Sequence, residues 1–219
     1  MIKTVIFDMD GVLIDSEIIF FEINRMLFKK LNIEVSESLL DSFVGVSGNY
    51  KWETIKKLYQ LPQSSEELTA YNWSIYINHL QDNIHNLKPI DGVVKFIKDL
   101  HKNKVNLAVA SSSPMRVIEI VMNAFNINQY FDILVEGGQV SKGKPEPDIF
   151  LYAADKIGTN IKDCLVIEDS SNGVRAAKRA GMKCIGFYNR NSGDQDLSEA
   201  DVIIDSFKDI SFIEVKKLY

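Results

Sequence analysis

The sequence predicts an α/β fold: a doubly wound parallel sheet interrupted by an inserted helical domain. Two observations carry that expectation. Short apolar, β-branched runs alternate with helical stretches, and the interval between the first run and the second is too long for an ordinary crossover. The runs are residues 2–7 (IKTVIF), 105–110 (VNLAVA), 164–167 (CLVI), 184–187 (CIGF) and 202–204 (VII). Their length and near-continuous hydrophobicity suit parallel strands buried on both faces. A strand-helix-strand unit takes about 30 residues in all, yet no strand pattern appears between Asp8 and Val105.

Helical periodicity fills that interval. Ile19, Ile23, Met26, Leu27 and Leu31 fall at helical spacing, as do Trp52, Ile55, Leu58 and Tyr59, then Leu68, Tyr71 and Ile75. Ser64 and Glu67 have the spacing of a capping box at the start of the last of these. A structureless loop of such length is uncommon in a compact domain. The expected division is therefore a helical domain over residues 16–86 and a sheet domain over residues 1–15 and 87–219. Val93, Val94, Ile97 and Leu100 resume the periodicity as the sheet's own crossover helix. Further on, Ser113-Pro114 reads as an N-cap followed by proline at the first helical position, with Ser113 capping. Gly181 sits where a helix ending near Ala180 needs its C′ glycine.

Composition limits the function classes. The 219 residues are 46% hydrophobic and 25% charged, enough for a sizeable core. A formal net charge of −5 supplies no basic field for nucleic acid or anionic lipid. No apolar run approaches the roughly 20 residues that span a bilayer. Residues 2–7 are too short for a signal-peptide core and lack a small-residue cleavage site, so a cytoplasmic location is expected. The two cysteines, Cys164 and Cys184, fall in strand-like runs and read as reduced core residues rather than a disulfide. Nothing in the sequence marks an oligomer interface, and a monomer is compatible with it.

The chemistry begins where the first strand ends. Asp8-Met9-Asp10-Gly11 puts two carboxylates directly after a hydrophobic run. Carboxylates that close are hard to keep ionised together, and a hard divalent cation with its preference for oxygen ligands relieves the repulsion. Taken alone, the pair also reads as a turn in which Gly11 supplies positive φ. Three further segments change the balance. Ser111-Ser112-Ser113 closes the second strand before a helix start, a place suited to holding phosphate. Lys144 lies beside the prolines of Lys142-Gly143-Lys144-Pro145-Glu146-Pro147-Asp148, which stiffen its backbone. Glu168-Asp169-Ser170 follows a third strand, and Ser170-Ser171-Asn172-Gly173 opens the next helix. In a doubly wound sheet such segments converge at the carboxyl ends of the strands.

In this order the segments resemble the haloacid dehalogenase superfamily: DMDGVLIDSE is similar to its first motif, VASSS to its second, GKPEPD to its third and VIEDSSNG to its fourth. The resemblance runs from Asp8 to Gly173 and implies a Rossmann-like core with a small helical cap, as in β-phosphoglucomutases and related sugar-phosphate phosphatases. It implies that Asp8 attacks phosphorus to form an aspartyl-phosphate and that Asp10 serves as general acid and then base. Ser111 and Lys144 would bind the transferring phosphoryl group, with backbone N–H groups near Asp10 and Ser112 assisting. Mg²⁺ would be held by the Asp8 carboxylate, the Asp10 backbone carbonyl and Asp169, with Glu168 in support. The partner implied is a small phosphorylated metabolite.

The same resemblance separates activities. Asp10, Lys144 and Asp169 together favour phosphoryl transfer over dehalogenation. Where the mutases carry a cap histidine and a phosphate-gripping arginine, this chain has Phe20 and Gly48, which favours hydrolysis, with Lys51 a nearby substitute. A catalytically silent phospholigand-binding protein would be expected to have lost Asp8, Asp10 or Asp169, and all three are present. Gly48, Asn49, Tyr50, Lys51 and Trp52 are the leading specificity candidates. Trp52 and Trp73 read as cap core, and His79 as surface.

Overall fold

A computed structural model describes residues 1–219. Six parallel strands form one sheet in the order β3-β2-β1-β4-β5-β6: β1 (Thr4–Phe7), β2 (Asn106–Ser111), β3 (Ile133–Glu136), β4 (Cys164–Glu168), β5 (Lys183–Phe187) and β6 (Val202–Ile204). The side-chain alternation of the central strands explains why the sheet needs helices on both faces. Val5, Phe7, Leu107, Val109, Leu165 and Ile167 belong to one core. Ile6, Ala108, Ala110, Cys164 and Val166 belong to the other. Helices α5 (Val93–Lys102) and α6 (Met115–Ala124) bury their apolar stripes in the first core, while α7 (Asp148–Ile157) and α8 (Ser171–Arg179) bury theirs in the second. Cys164 and Cys184 are buried and unbridged, as expected. No helix is long and apolar enough to cross a membrane.

Four helices, α1 (Glu17–Lys30), α2 (Glu37–Asp41), α3 (Gly48–Tyr59) and α4 (Ser65–Asp82), lie between β1 and α5. The chain leaves and re-enters the sheet region side by side, with Ile14 bridging Pro89 and the Ile90 N–H donating to the Leu13 carbonyl at 3.0 Å. The capping box of Ser64 and Glu67 forms at the start of α4. Gly181 follows α8 with φ +75°. Four hydrogen bonds hold the helical insertion against the sheet region. Ser112 Oγ donates to the Gly45 carbonyl (2.8 Å), Asn172 Nδ2 to those of Ser42 (3.2 Å) and Val44 (2.9 Å), and Gln195 Nε2 to that of Asp41 (3.1 Å).

Three features differ from the sequence expectation. β3 has only one fully buried residue, Val135, in its four, so its apolar signal is weak at an edge of the sheet. α2 is a single turn and a half, too short to establish a period. At α6 the N-cap is Pro114, not Ser113, and the first helical N–H, that of Met115, is taken up by the Glu136 carboxylate at 2.6 Å. The Ser113 hydroxyl is thereby free for a different role.

Candidate active site

Asp8 is fixed by the ladder that continues one step past β1: its N–H donates to the Ile167 carbonyl at 2.9 Å. Its Oδ1 accepts from Lys144 Nζ at 2.7 Å, and the same ammonium donates to Glu168 Oε1 at 2.5 Å. All three side chains are at most 4% exposed. The other Glu168 oxygen accepts from the N–H groups of Asp169 and Ser170, both at 3.0 Å, and from Ser170 Oγ at 2.9 Å. Glu168 is thus fully engaged and serves as the anchor of Lys144. Burial pushes the Asp8 carboxyl up to about 8, with Glu168 and Asp10 adding to the rise and Lys144 opposing it. Burial also works against charge on Lys144, but the two carboxylates outweigh it and its ammonium is held above the ordinary range. The proton therefore stays on Lys144. The rise at Asp8 comes first from burial, which the attraction of one lysine does not offset, with the neighbouring carboxylates adding to it.

The anchor needs room on its helix side. A Cβ at Gly173 would lie 1.8 Å from both Cδ and Oε1 of Glu168. Gly173→Ala is expected to destabilise the protein by on the order of 3 kcal/mol, since neither the helix nor the fully bonded carboxylate can give way. A thermal melt checks this; an unchanged midpoint would show that Glu168 has slack.

Asp10 sits in a different environment. Ser16 Oγ donates to its Oδ1 at 2.8 Å, while Ser113 Oγ (2.6 Å) and Ser111 Oγ (3.3 Å) donate to its Oδ2. Burial raises its carboxyl, and the hydroxyls of Ser113, Ser16 and Ser111 pull it back. Ser113, expected to cap α6, holds Asp10 instead. Ser16 likewise forms no cap bond at α1. Ser111 is fully buried beside Asp10, whereas the Ser112 hydroxyl is bonded to the helical insertion.

Oxygen atoms of Asp8, Glu168 and Asp169 lie within 4.8 Å of one another. With Glu168 engaged by Lys144, the ligand-capable members are Asp8 and Asp169. Asp8 Oδ2 and Asp169 Oδ1 receive no hydrogen bond from the protein, while Ser192 Oγ donates to Asp169 Oδ2. Burial, followed by Glu168, Glu17 and Asp8, raises the Asp169 carboxyl well above the usual range. A Cβ on Gly11, whose φ is +76°, would meet Asp169 Oδ2 at 1.9 Å, so the turn after β1 admits only glycine here. Uncompensated carboxylates with free oxygens fit a hard divalent cation.

A cavity of about 80 Å³ opens over Asp8 and Asp10. Its far wall comes from the helical insertion, where Glu17, Asn24, Lys51 and Asn72 stand out as buried polar residues. Lys51 Nζ donates to Asn24 Oδ1 (2.8 Å) and Asn72 Oδ1 (2.7 Å). Burial lowers its ammonium to about 7, against the pull of Glu17. Burial pushes the Glu17 carboxyl well up, with Asp10, Asp8 and Asp15 adding to it. Of the specificity candidates, Gly48 and Lys51 line the cavity, while Asn49, Tyr50 and Trp52 do not. Trp52 is core, fully buried against Phe28. Trp73 does line the cavity, edge-on to Phe20, and His79 stays outside it. Glu17, Asn24 and Asn72 were not among the sequence-derived candidates. Glu17, Phe20 and Asn24 do share one helical face at i, i+3 and i+7, a signal hidden because acids in a first turn usually serve the helix dipole.

A parallel sheet whose strand ends converge on an aspartate, a buried lysine and an acidic pair places the protein in the α/β class, with a cleft suited to an anion and a cation. The chain belongs to the haloacid dehalogenase-like hydrolase family, whose sequence pattern matches residues 5–187. It is 30% identical over 202 residues to a phosphorylated carbohydrates phosphatase of Thermotoga maritima, covering 92% of each chain. It is 28% identical over 229 residues to a phosphoglycolate phosphatase of Salmonella typhimurium, covering 95% of this chain and 91% of that one. In structure it is similar to a β-phosphoglucomutase from Clostridium difficile, with a TM-score of 0.87 at 24% identity over 99% of this chain and 96% of that one.

Proposed function

We infer that this protein is a Mg²⁺-dependent phosphatase that hydrolyses a small phosphate monoester, a sugar phosphate, through an aspartyl-phosphate on Asp8. One observation carries the reading: two carboxylates one residue apart face the same cavity in opposite settings. Asp8 is paired with a lysine and Asp10 is held by three serine hydroxyls. Such a difference in surroundings supports the reading of one carboxylate as nucleophile and the other as proton carrier. The Asp8 carboxylate forms a bond to phosphorus as the bond to the leaving oxygen breaks, and Asp10 gives its proton to that oxygen. Water then attacks phosphorus, Asp10 takes back a proton, and Asp8 departs as carboxylate. Lys144 and Ser111 act on the transferring group. Asp8, the Asp10 carbonyl and Asp169 would hold Mg²⁺, which supplies positive charge between nucleophile and substrate. Phosphate monoesters are among the slowest substrates to react unaided, with enzymes reaching accelerations on the order of 10²¹-fold. Fixed charge is the main resource such a site has.

In this reading residues 16–86 form a cap and residues 1–15 and 87–219 the catalytic core. The cavity of about 80 Å³ is about half the size of one that takes a benzene ring. A sugar phosphate therefore enters with the cap drawn back, and closure excludes water. Hydrolysis is favoured over the mutase alternative by Gly48. A Cβ there would already lie 3.1 Å from Thr69 and 3.2 Å from Trp73, so an arginine at this position would have to displace those side chains. Phe20, stacked on Tyr76 at 4.2 Å, offers no polar group. The relatives named as phosphatases support the same choice, and reduced buried cysteines suit a cytoplasmic enzyme. The test is release of phosphate from p-nitrophenyl phosphate. Turnover is expected with Mg²⁺ and is expected to vanish on chelation; no turnover with Mg²⁺ would overturn the assignment.

A further inference from the structure

We propose that the cap wall of the cleft, built from Glu17, Asn24, Lys51 and Asn72, selects a leaving group that carries adjacent hydroxyls and no second anion. The proposal rests on the phosphatase reading and adds the chemistry of the part of the substrate that lies away from Asp8. Glu17 and Lys51 are 6% and 7% exposed, come from α1 and α3, and line the same cavity as the two catalytic aspartates. They do not pair with each other. Lys51 is committed to two amide oxygens and keeps a third N–H without a protein acceptor. Asn72 is 5% exposed, and its Nδ2 has no partner at all. No hydrogen bond from the protein reaches the Glu17 carboxylate. Buried polar groups in folded proteins are normally satisfied. A wall with two open donors beside one open acceptor is therefore waiting for a ligand.

A hydroxyl donates once and accepts as well. Two adjacent hydroxyls satisfy this wall together, donating to Glu17 while accepting from Lys51 and Asn72. Phe20 and Trp73 add to the lining ring surface suited to the C–H face of such a polyol. The charge of the wall decides against a distal anion. One acid and one base sum to zero, whether the charges are separated or the proton has passed between them. A second phosphate or a carboxylate would enter beside Glu17, with Asp8 and Asp10 lining the same cavity, and would gain one already balanced lysine. Specificity by an unpaired like charge is a common device against the wrong partner. This separates two kinds of substrate named among the relatives, phosphorylated carbohydrates and phosphoglycolate, in favour of the first.

Two measurements decide it. With Mg²⁺ present, wild type is expected to show kcat/KM for ribose 5-phosphate at least tenfold above that for 2-phosphoglycolate. Glu17→Gln, which leaves the wall with the lysine alone, should narrow that ratio about tenfold. Equal rates on the two substrates, or a Glu17→Gln variant that lowers both by one factor, would overturn the proposal. The second measurement is independent of turnover: calorimetric binding of the same two compounds to Asp8→Asn protein. Tenfold tighter binding of ribose 5-phosphate is expected. Equal or reversed affinities overturn the selectivity even if no substrate is hydrolysed, while failure of p-nitrophenyl phosphate turnover alone removes only the phosphatase reading.

Discussion

Asp8→Asn is expected to reduce phosphatase turnover by a factor on the order of 10⁴ or more, because removal of a covalent nucleophile leaves only binding and charge stabilisation behind. The variant should nevertheless fold. Burial already pushes the native carboxyl up to about 8, so an uncharged amide removes a charge the interior disfavours. Its oxygen can still accept from Lys144, which lies 2.7 Å from Asp8 Oδ1. Thermal melts should therefore place Asp8→Asn at or above the wild-type midpoint while steady-state assays find no turnover. Retained activity would refute Asp8 as the nucleophile, and loss of folding would refute the electrostatic account of the site.

Lys144→Met is expected to lose both properties together. The lysine is the common partner of Asp8 and Glu168, at 1% side-chain exposure. Removing it leaves two buried carboxylates facing each other. Breaking a buried pair in this way costs about 3–5 kcal/mol, and for a chain of this length each kcal/mol lowers the midpoint by roughly 2–4 °C. The expected result is a melt lowered by about 10 °C together with loss of turnover. Adding Glu168→Gln to Lys144→Met should recover part of the stability and none of the activity. A single variant as stable as wild type would show that the carboxylates are neutral and the lysine dispensable to the fold.

Legibility of the sequence divides along physical lines. The central strands were readable because burial on both faces makes them apolar throughout, as in residues 164–167, all of them fully buried. β3 was not, since an edge strand of four residues needs little hydrophobicity. As a consequence Lys144 was read from its prolines alone, although it follows a strand end like the other site residues. Asp8, Asp10, Glu168 and Asp169 were legible as candidates because each sits in a motif next to a readable strand. Ser113 was misassigned because a serine before proline at a helix start has two uses, and only the spatial position of Asp10 decides between them. Glu17, Asn24 and Asn72 were invisible for a related reason. They meet Lys51 across three helices, and no spacing along the chain encodes a meeting of that kind.

Apart from the bond of Ser16 to Asp10 where the insertion begins, the four bonds that fasten the helical insertion to the core share one property: each donor is a core side chain, and each acceptor is a backbone carbonyl between Asp41 and Gly45. A clasp made on main chain is blind to the amino acids it grips. Apart from Gly45, where a Cβ would fall 2.3 Å from Ser170 Oγ, the segment can change its side chains and still be caught. The residues of α1, α3 and α4 that line the cavity can therefore be exchanged without loss of these four bonds. On the reading of the insertion as a cap, the lining can drift over generations while the clasp is inherited intact.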